Sequence, residues 1–220
     1  MIHELITIWF SWIYDWGYVG VFLLMAMEST ILPVPSELVI PPAAFWAAQS
    51  QLNGGASGQM SFYGVILAGT LGSYFGSALS YFIFQRVGKK LIDFAEKYLF
   101  VNKDKINMVE QIILTYGAPG VFISRLLPVV RHLISIPAGI FKMNFKKFSI
   151  ATLTGSFFWC SVLAIWGEKI IGKHPELLNS PEEMMHVVRS ELMGFVLTIL
   201  VFVALYGFVL WMKKRSKQAV

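Results

Sequence analysis

The sequence predicts an all-α integral membrane protein, built as an inverted repeat of two opposed re-entrant helical hairpins plus spanning helices. Three observations carry that expectation. The 220 residues are 56% hydrophobic and only 14% charged, too apolar for an ordinary soluble domain. A motif of aromatic, Gly, two residues and Gly-Val-Phe occurs twice, at 16–22 and 116–122. Two apolar stretches that carry Glu28 and Glu37, and Arg125 and Arg131, are broken by proline rather than continuous.

Read in order, the chain forms one membrane domain, 1–220, with no room for a separate soluble one. MIHELITIWFSWIYDWG lacks the basic flank and cleavage site of a signal peptide. It reads as an amphipathic or partly inserted helix ending near Asp15 and Gly17. A first half, 1–85, holds a hairpin over 17–48, an uncharged loop over 49–59 and an apolar helix over 61–85. Within that helix Ala68, Gly72, Gly76 and Ser80 recur every four residues, a stripe for close helix packing. Basic and apolar residues alternate over 86–107, as in an interfacial helix. The second half, 86–170, holds a hairpin over 111–141, turning near Pro128, and a helix over 145–166. Ser180-Pro181-Glu182-Glu183 has the N-cap, proline and acids of a helix start, which leads into a C-terminal spanning helix, 180–212. Residues 148–167 and 192–212 are uncharged, each near the ~20 residues that a span needs.

The repeat continues beyond its first motif. Ile40-Pro41-Pro42-Ala43-Ala44-Phe45 parallels Ile136-Pro137-Ala138-Gly139-Ile140-Phe141, with four more residues between the anchors in the first copy. Basic residues orient the two copies. Arg86, Lys89, Lys90, Lys97, Lys103 and Lys105 mark one cytoplasmic loop, Lys142, Lys146 and Lys147 another, and Lys213, Lys214, Arg215 and Lys217 a cytoplasmic C-terminus. The stretch 111–141 therefore enters and leaves by the same face, and the first hairpin enters from the opposite one. Such broken segments meeting near the midplane are a transporter plan. The net charge of +5 belongs to topology, and no aromatic-basic interleaving or zinc spacing points to nucleic acid. Cys160 is the lone cysteine and forms no internal disulfide.

A charge at membrane depth is costly and normally faces protein or a water-filled cavity. Arg125 and Arg131 flank Pro128, where a break frees backbone N–H groups beside two guanidinium forks, a setting suited to phosphate. Glu28 and Glu37 bracket Pro33-Val34-Pro35 and are candidates for proton coupling. Desolvation and a neighbouring arginine pull a carboxylate's proton affinity in opposite directions. Ser36 and Ser124 add hydrogen-bonding capacity to the arginines. A structural alternative stands beside this: the two acids and two bases neutralise each other as buried pairs that fix the hairpins. His132 reads as a packing or interfacial residue. No metal ligands, cofactor or catalytic set is expected.

Glu28-Ser29, Pro33-Val34-Pro35-Ser36-Glu37 and Phe122-Ile123-Ser124-Arg125-Leu126-Leu127-Pro128-Val129-Val130-Arg131 together resemble the signature of the DedA family, of the SNARE-associated or VTT type. The resemblance runs over about 17–167. It implies a multi-pass protein of the bacterial inner membrane that moves lipids across the bilayer, with proton dependence in some members. It also implies that Glu28, Glu37, Arg125 and Arg131 are the functional residues. Pro-Ser-Glu, where other members carry Pro-Gly-Asp, is similar to the undecaprenyl phosphate group. The resulting expectation is a translocase of a lipid phosphate, undecaprenyl phosphate first, and not an enzyme. Its partners are the lipid, the bilayer and protons, with oligomerisation left open. The alternatives are a phospholipid flippase or scramblase, for phosphatidylethanolamine among others, and an intramembrane lipid-phosphate enzyme. The last lacks a His-rich or Asp-rich constellation near the arginines.

Overall fold

The computed structural model describes residues 2–30, 35–53, 60–98, 103–127 and 130–173. The turn expected near Pro128, Pro33-Val34 of the first break and the C-terminal spanning helix over 180–212 lie outside the described residues. Those that are described are helical, with no strand among them.

Helix α1 (Ile2–Trp16) stops at Gly17, whose φ of 53° and ψ of −122° are open to glycine and strained for any L side chain. Helix α2 (Tyr18–Glu28) begins directly after it. A single 3₁₀ turn, Ser36–Leu38, leads into α3 (Ile40–Asn53). Pro41 and Pro42 stand in the first turn of α3, where a missing N–H leaves no helical bond unmade. The 37-residue α4 (Phe62–Tyr98) and 29-residue α8 (Phe145–Lys173) are the long elements. Between them lie α5 (Lys103–Arg125), α6 (Val130–Leu133) and α7 (Ser135–Ile140). Helix α5 kinks at Gly117, with φ 47° and ψ −128°, and Pro119 falls in the first turn after the kink.

One expectation is corrected. The basic-apolar segment over 86–107 does not form a separate interfacial helix. Its first part continues α4 without a break to Tyr98, and α5 begins at Lys103. No proline interrupts 86–98, and Gly88 is a packing position: a Cβ there would lie 2.9 Å from the Ile140 side chain.

Two helical segments, Phe62–Gly88 with 27 residues and Phe145–Lys169 with 25, are long and apolar enough to cross a membrane. At ~1.5 Å per residue each exceeds a hydrocarbon core of ~30 Å. The surface has the matching polarity. Tyr63, Leu67, Leu71, Phe75 and Leu79 form an exposed apolar stripe along α4, while Ser73, Ser77 and Ser80 on the same helix are buried. Apolar outside and hydroxyl inside is a sensible arrangement only when the surrounding solvent is lipid.

Close backbone approach replaces the hydrophobic effect as the packing force in that solvent. The small-residue stripe of α4 meets α2: a Cβ on Gly72 would lie 2.3 Å from the Phe22 carbonyl oxygen, and one on Gly76 2.1 Å from that of Ala26. Ser80 completes the stripe by donating to the Ser29 carbonyl at 3.1 Å. The long helices serve the short ones reciprocally. Helix α2 packs on α4 and α3 on α8, while α5 packs on α8 and α7 on α4. The long helices also pack on each other, where Ser73 and Ser156 hydroxyls lie 3.2 Å apart. Two apolar cores result, one around Leu24, Ile40, Trp159 and Leu163, the other around Tyr81, Val121 and Phe148.

Candidate functional site

Helix α2 ends at Glu28 because its last carbonyls are taken locally. The Ser29 N–H donates to the Met25 carbonyl at 3.2 Å, and the Thr30 hydroxyl to that of Met27 at 2.6 Å. The Glu28 side chain is left at the end of α2, where the chain returns at the 3₁₀ turn. The Ser36 backbone N–H donates to Glu28 Oε1 at 2.8 Å, closing the turn onto the carboxylate.

The same oxygen receives Arg131 from the other half of the chain. Arg131 Nη2 forms a buried ion pair with Glu28 and donates to Ser36 Oγ at 2.6 Å. Trp159 of α8 also donates, from Nε1 to Ser36 Oγ at 3.3 Å, and its ring centroid lies 5.1 Å from Arg131 Cζ. Arginine and tryptophan side chains can only donate, so Ser36 Oγ accepts both bonds. Its own proton is thereby directed at Glu37 Oε2, 3.5 Å away. Glu28, Ser36, Arg131 and Trp159 thus form one connected unit, with Glu37 at its half-buried edge.

Arg125, at the end of α5, is held differently. Its stem lies across α8 at Gly155, where a Cβ would sit 2.6 Å from Arg125 Cβ. Nη2 donates to Ser135 Oγ at 2.9 Å. Arg125 is 3% exposed, and among the described residues it makes no ion pair. A buried guanidinium bonded to a neutral hydroxyl, with the neighbouring Glu28 carboxylate already paired to Arg131, is a costly state unless an anion joins it. Among the described residues four buried side-chain polar atoms have no hydrogen-bond partner: Glu28 Oε2, Arg125 Nε, Arg131 Nε and Thr152 Oγ1.

Of the residues expected from sequence, Glu28, Ser36 and Arg131 come together directly and Glu37 joins through Ser36. Arg125 stands beside this group on its own serine. Ser124 is half-buried and hydrogen-bonds to neither arginine. Sequence reasoning missed Trp159, Ser135 and Thr152. Trp159 and Thr152 sit inside an uncharged span where such residues are unremarkable. Ser135 had a usable signal, lying four residues after Arg131, one helical turn on. Among the described residues no group of three or more His, Cys, Asp or Glu side chains is placed to hold a metal ion.

An all-helical membrane protein in which a buried acid–base unit joins α2 to α6, beside an arginine with no ion pair among the described residues, is the class that this geometry defines. Comparison with known proteins makes it specific. Residues 42–169 match the VTT domain, and the chain belongs to that family, the DedA family. It is 34% identical to undecaprenyl phosphate transporter A of Bacillus subtilis (strain 168), over 76% of this chain and 75% of that one. It is 31% identical to the uncharacterized membrane protein YkoX of the same organism, over 99% and 88% of the two chains. An alkaline phosphatase-like protein of Lactococcus lactis subsp. lactis (strain IL1403) is 31% identical, over 86% of this chain and 87% of that one. No solved structure matches the chain.

Proposed function

We propose that this protein is a transporter that carries a lipid phosphate, undecaprenyl phosphate in the first instance, across the bacterial inner membrane with proton coupling. The observation that carries the reading is Arg125: a buried guanidinium engaged by a serine hydroxyl, with Nε unpartnered and no carboxylate paired to it among the described residues. A phosphate crossing hydrocarbon needs local neutralisation, and this cation is unspent. The relative named for undecaprenyl phosphate transport supports the same substrate class.

In this reading Arg131 is the switch. Its fork is occupied by Glu28 and Ser36. A proton taken by Glu28 would weaken that pair and release Arg131 to join Arg125 on the phosphate, while the polyprenyl tail stays in lipid. Proton loss would restore the pair and free the lipid. Glu37, reached through Ser36, extends the unit towards its more accessible edge. The architecture we read for this cycle is an inverted repeat of opposed re-entrant hairpins, 17–48 and 111–141, with the C-terminus cytoplasmic. The shared backbone geometry of Gly17 and Gly117 and the reciprocal packing on α4 and α8 support it.

The test is reconstitution into liposomes carrying undecaprenyl phosphate in both leaflets, with head groups counted by an added impermeant phosphatase. Wild-type protein should expose the inner-leaflet pool, with a rate that changes with an imposed proton gradient; protein-free and Arg125→Gln vesicles should not. Equal accessibility with and without protein would overturn transport, and an unchanged rate under a gradient would remove the proton. The relative named alkaline phosphatase-like favours a second reading, an enzyme acting on the lipid phosphate. Phosphate released by the purified protein with no phosphatase added would establish that one instead.

A further inference from the structure

We propose that Ser135 and Thr152 complete an oxyanion site on Arg125, a set of donors for the tetrahedral phosphate of a phosphomonoester; this rests on the lipid-phosphate reading. The argument is one of unused hydrogens. Arg125 has no acceptor, so its 2.9 Å bond from Nη2 makes Ser135 Oγ the acceptor. The Ser135 hydrogen is therefore turned away from Arg125, and no acceptor receives it among the described residues. Ser135 is nonetheless fully buried. Arg125 Nε is a second buried donor without an acceptor, and the Thr152 hydroxyl is a third group without a partner.

Arg125 links the three groups, bonding to Ser135 on α7 and lying with its stem against α8. Arg125 Cβ and Cγ lie against Gly155, and Thr152 precedes Gly155 by three residues, which places it one turn away on the same face. Thr152 is also 0% exposed, so its hydroxyl is turned into the protein and not towards lipid. Helix α7 thus presents a hydroxyl to the guanidinium and α8 a hydroxyl one turn from its stem, and each unused hydrogen on Arg125 Nε and Ser135 Oγ is a donor. Buried polar groups in proteins are normally satisfied, and an unmatched donor set implies a ligand that only accepts. A cation is excluded by the guanidinium, and a carboxylate uses fewer of these directions than the three oxygens of a phosphate. Arg131 is committed through Nη2 to Glu28 and Ser36 in this state, and its Nε is a further buried donor without an acceptor.

The test uses the purified full-length chain, with undecaprenyl phosphate, undecaprenol and inorganic phosphate as probes. Ser135→Ala and Thr152→Val should each weaken undecaprenyl phosphate binding about tenfold, the scale of one hydrogen bond to a charged group. Thr152→Ser should bind within about twofold of wild type. Thr152→Val should melt no lower than wild type, because the hydroxyl that it removes has no protein partner. Wild-type affinity in both Ser135→Ala and Thr152→Val overturns the donor set while leaving the lipid-phosphate reading intact. Undecaprenol binding as tightly as its phosphate overturns that reading itself. Displacement of the lipid by inorganic phosphate makes free phosphate a ligand of the same donors; no displacement assigns them to the lipid head group. If Ser135→Ala fails to fold, Thr152→Val decides alone.

Discussion

Glu28 and Arg131, 103 residues apart in sequence, form a buried ion pair that joins the end of α2 to α6. The pair is more than two opposite charges. Glu28 also accepts the Ser36 backbone N–H, while Arg131 donates to the Ser36 hydroxyl and faces the Trp159 ring. The surroundings of each member are therefore fitted to its sign.

Breaking one side should cost more than removing both. Glu28→Gln leaves a buried guanidinium uncompensated, a loss on the scale of 3–5 kcal/mol in buried pairs. Glu28→Gln with Arg131→Gln removes both charges and should recover part of the lost melting temperature, with transport still absent. The reversed pair, Glu28→Arg with Arg131→Glu, should rescue neither. It would aim a guanidinium at the Ser36 N–H, donor against donor, and a carboxylate at the electron-rich face of the Trp159 ring. Melting curves and liposome transport on wild type and the three variants check this. A reversed pair that transports would reduce the site to a scaffold.

Arg125 should be intolerant of lysine. A lysine keeps the charge but loses the planar fork that reaches Ser135 with Nη2 while leaving Nε for a ligand. One charge-assisted bond lost is worth about 1.5–3 kcal/mol, so Arg125→Lys should bind the lipid phosphate roughly ten- to a hundred-fold less tightly. Binding to protein of matched thermal stability is the measurement. Lysine at wild-type affinity would mean that charge alone holds the head group.

Much of this site was legible because charge in an apolar segment is rare and conspicuous. Glu28, Arg125 and Arg131 stand out on that ground alone, and proline positions indicated where the helices would break. The pairing was not legible. Nothing in the sequence says that Glu28 takes Arg131 and leaves Arg125 to a serine, because that depends on how α5 and α6 lie against α8. The hydroxyl groups were hidden for the opposite reason: serine and threonine are ordinary in membrane helices, and only burial without a partner distinguishes Thr152. The end of α4 was misjudged because a basic, amphipathic continuation of a spanning helix has the same pattern as a separate interfacial one.

The backbone at Gly117 offers a clean measure of strain. Its φ of 47° with ψ of −128° disfavours any L side chain, yet a Cβ added there would meet nothing within 4 Å. Gly117→Ala should therefore destabilise through the backbone alone, by about 1–3 kcal/mol. Gly17 has nearly the same angles and only ordinary contact with Met60 at 3.5 Å, so Gly17→Ala should cost a similar amount. Thermal melts of both variants check the pair. A neutral Gly117→Ala would show that the chain relaxes freely at the kink.

The proposed inverted arrangement makes a prediction that sidedness can test. Gly17 and Gly117 share their backbone geometry, and the helices that follow them rest on different long elements, α2 on α4 and α5 on α8. If the two halves are related by a two-fold axis in the membrane plane, the loops after the first hairpin and before the second lie on opposite faces. The uncharged stretch over 49–59, whose first five residues end α3, and the lysines near 103–105 fit that polarity. Single cysteines at Gly55 and Lys103, in a Cys160→Ala background, should react with an impermeant reagent from opposite sides of oriented vesicles. The native Cys160 is fully buried, so its removal should change the labelling background little. Reaction of both introduced cysteines from one side would rule out the inverted repeat, and with it the alternating exposure of the Arg125 site that transport requires.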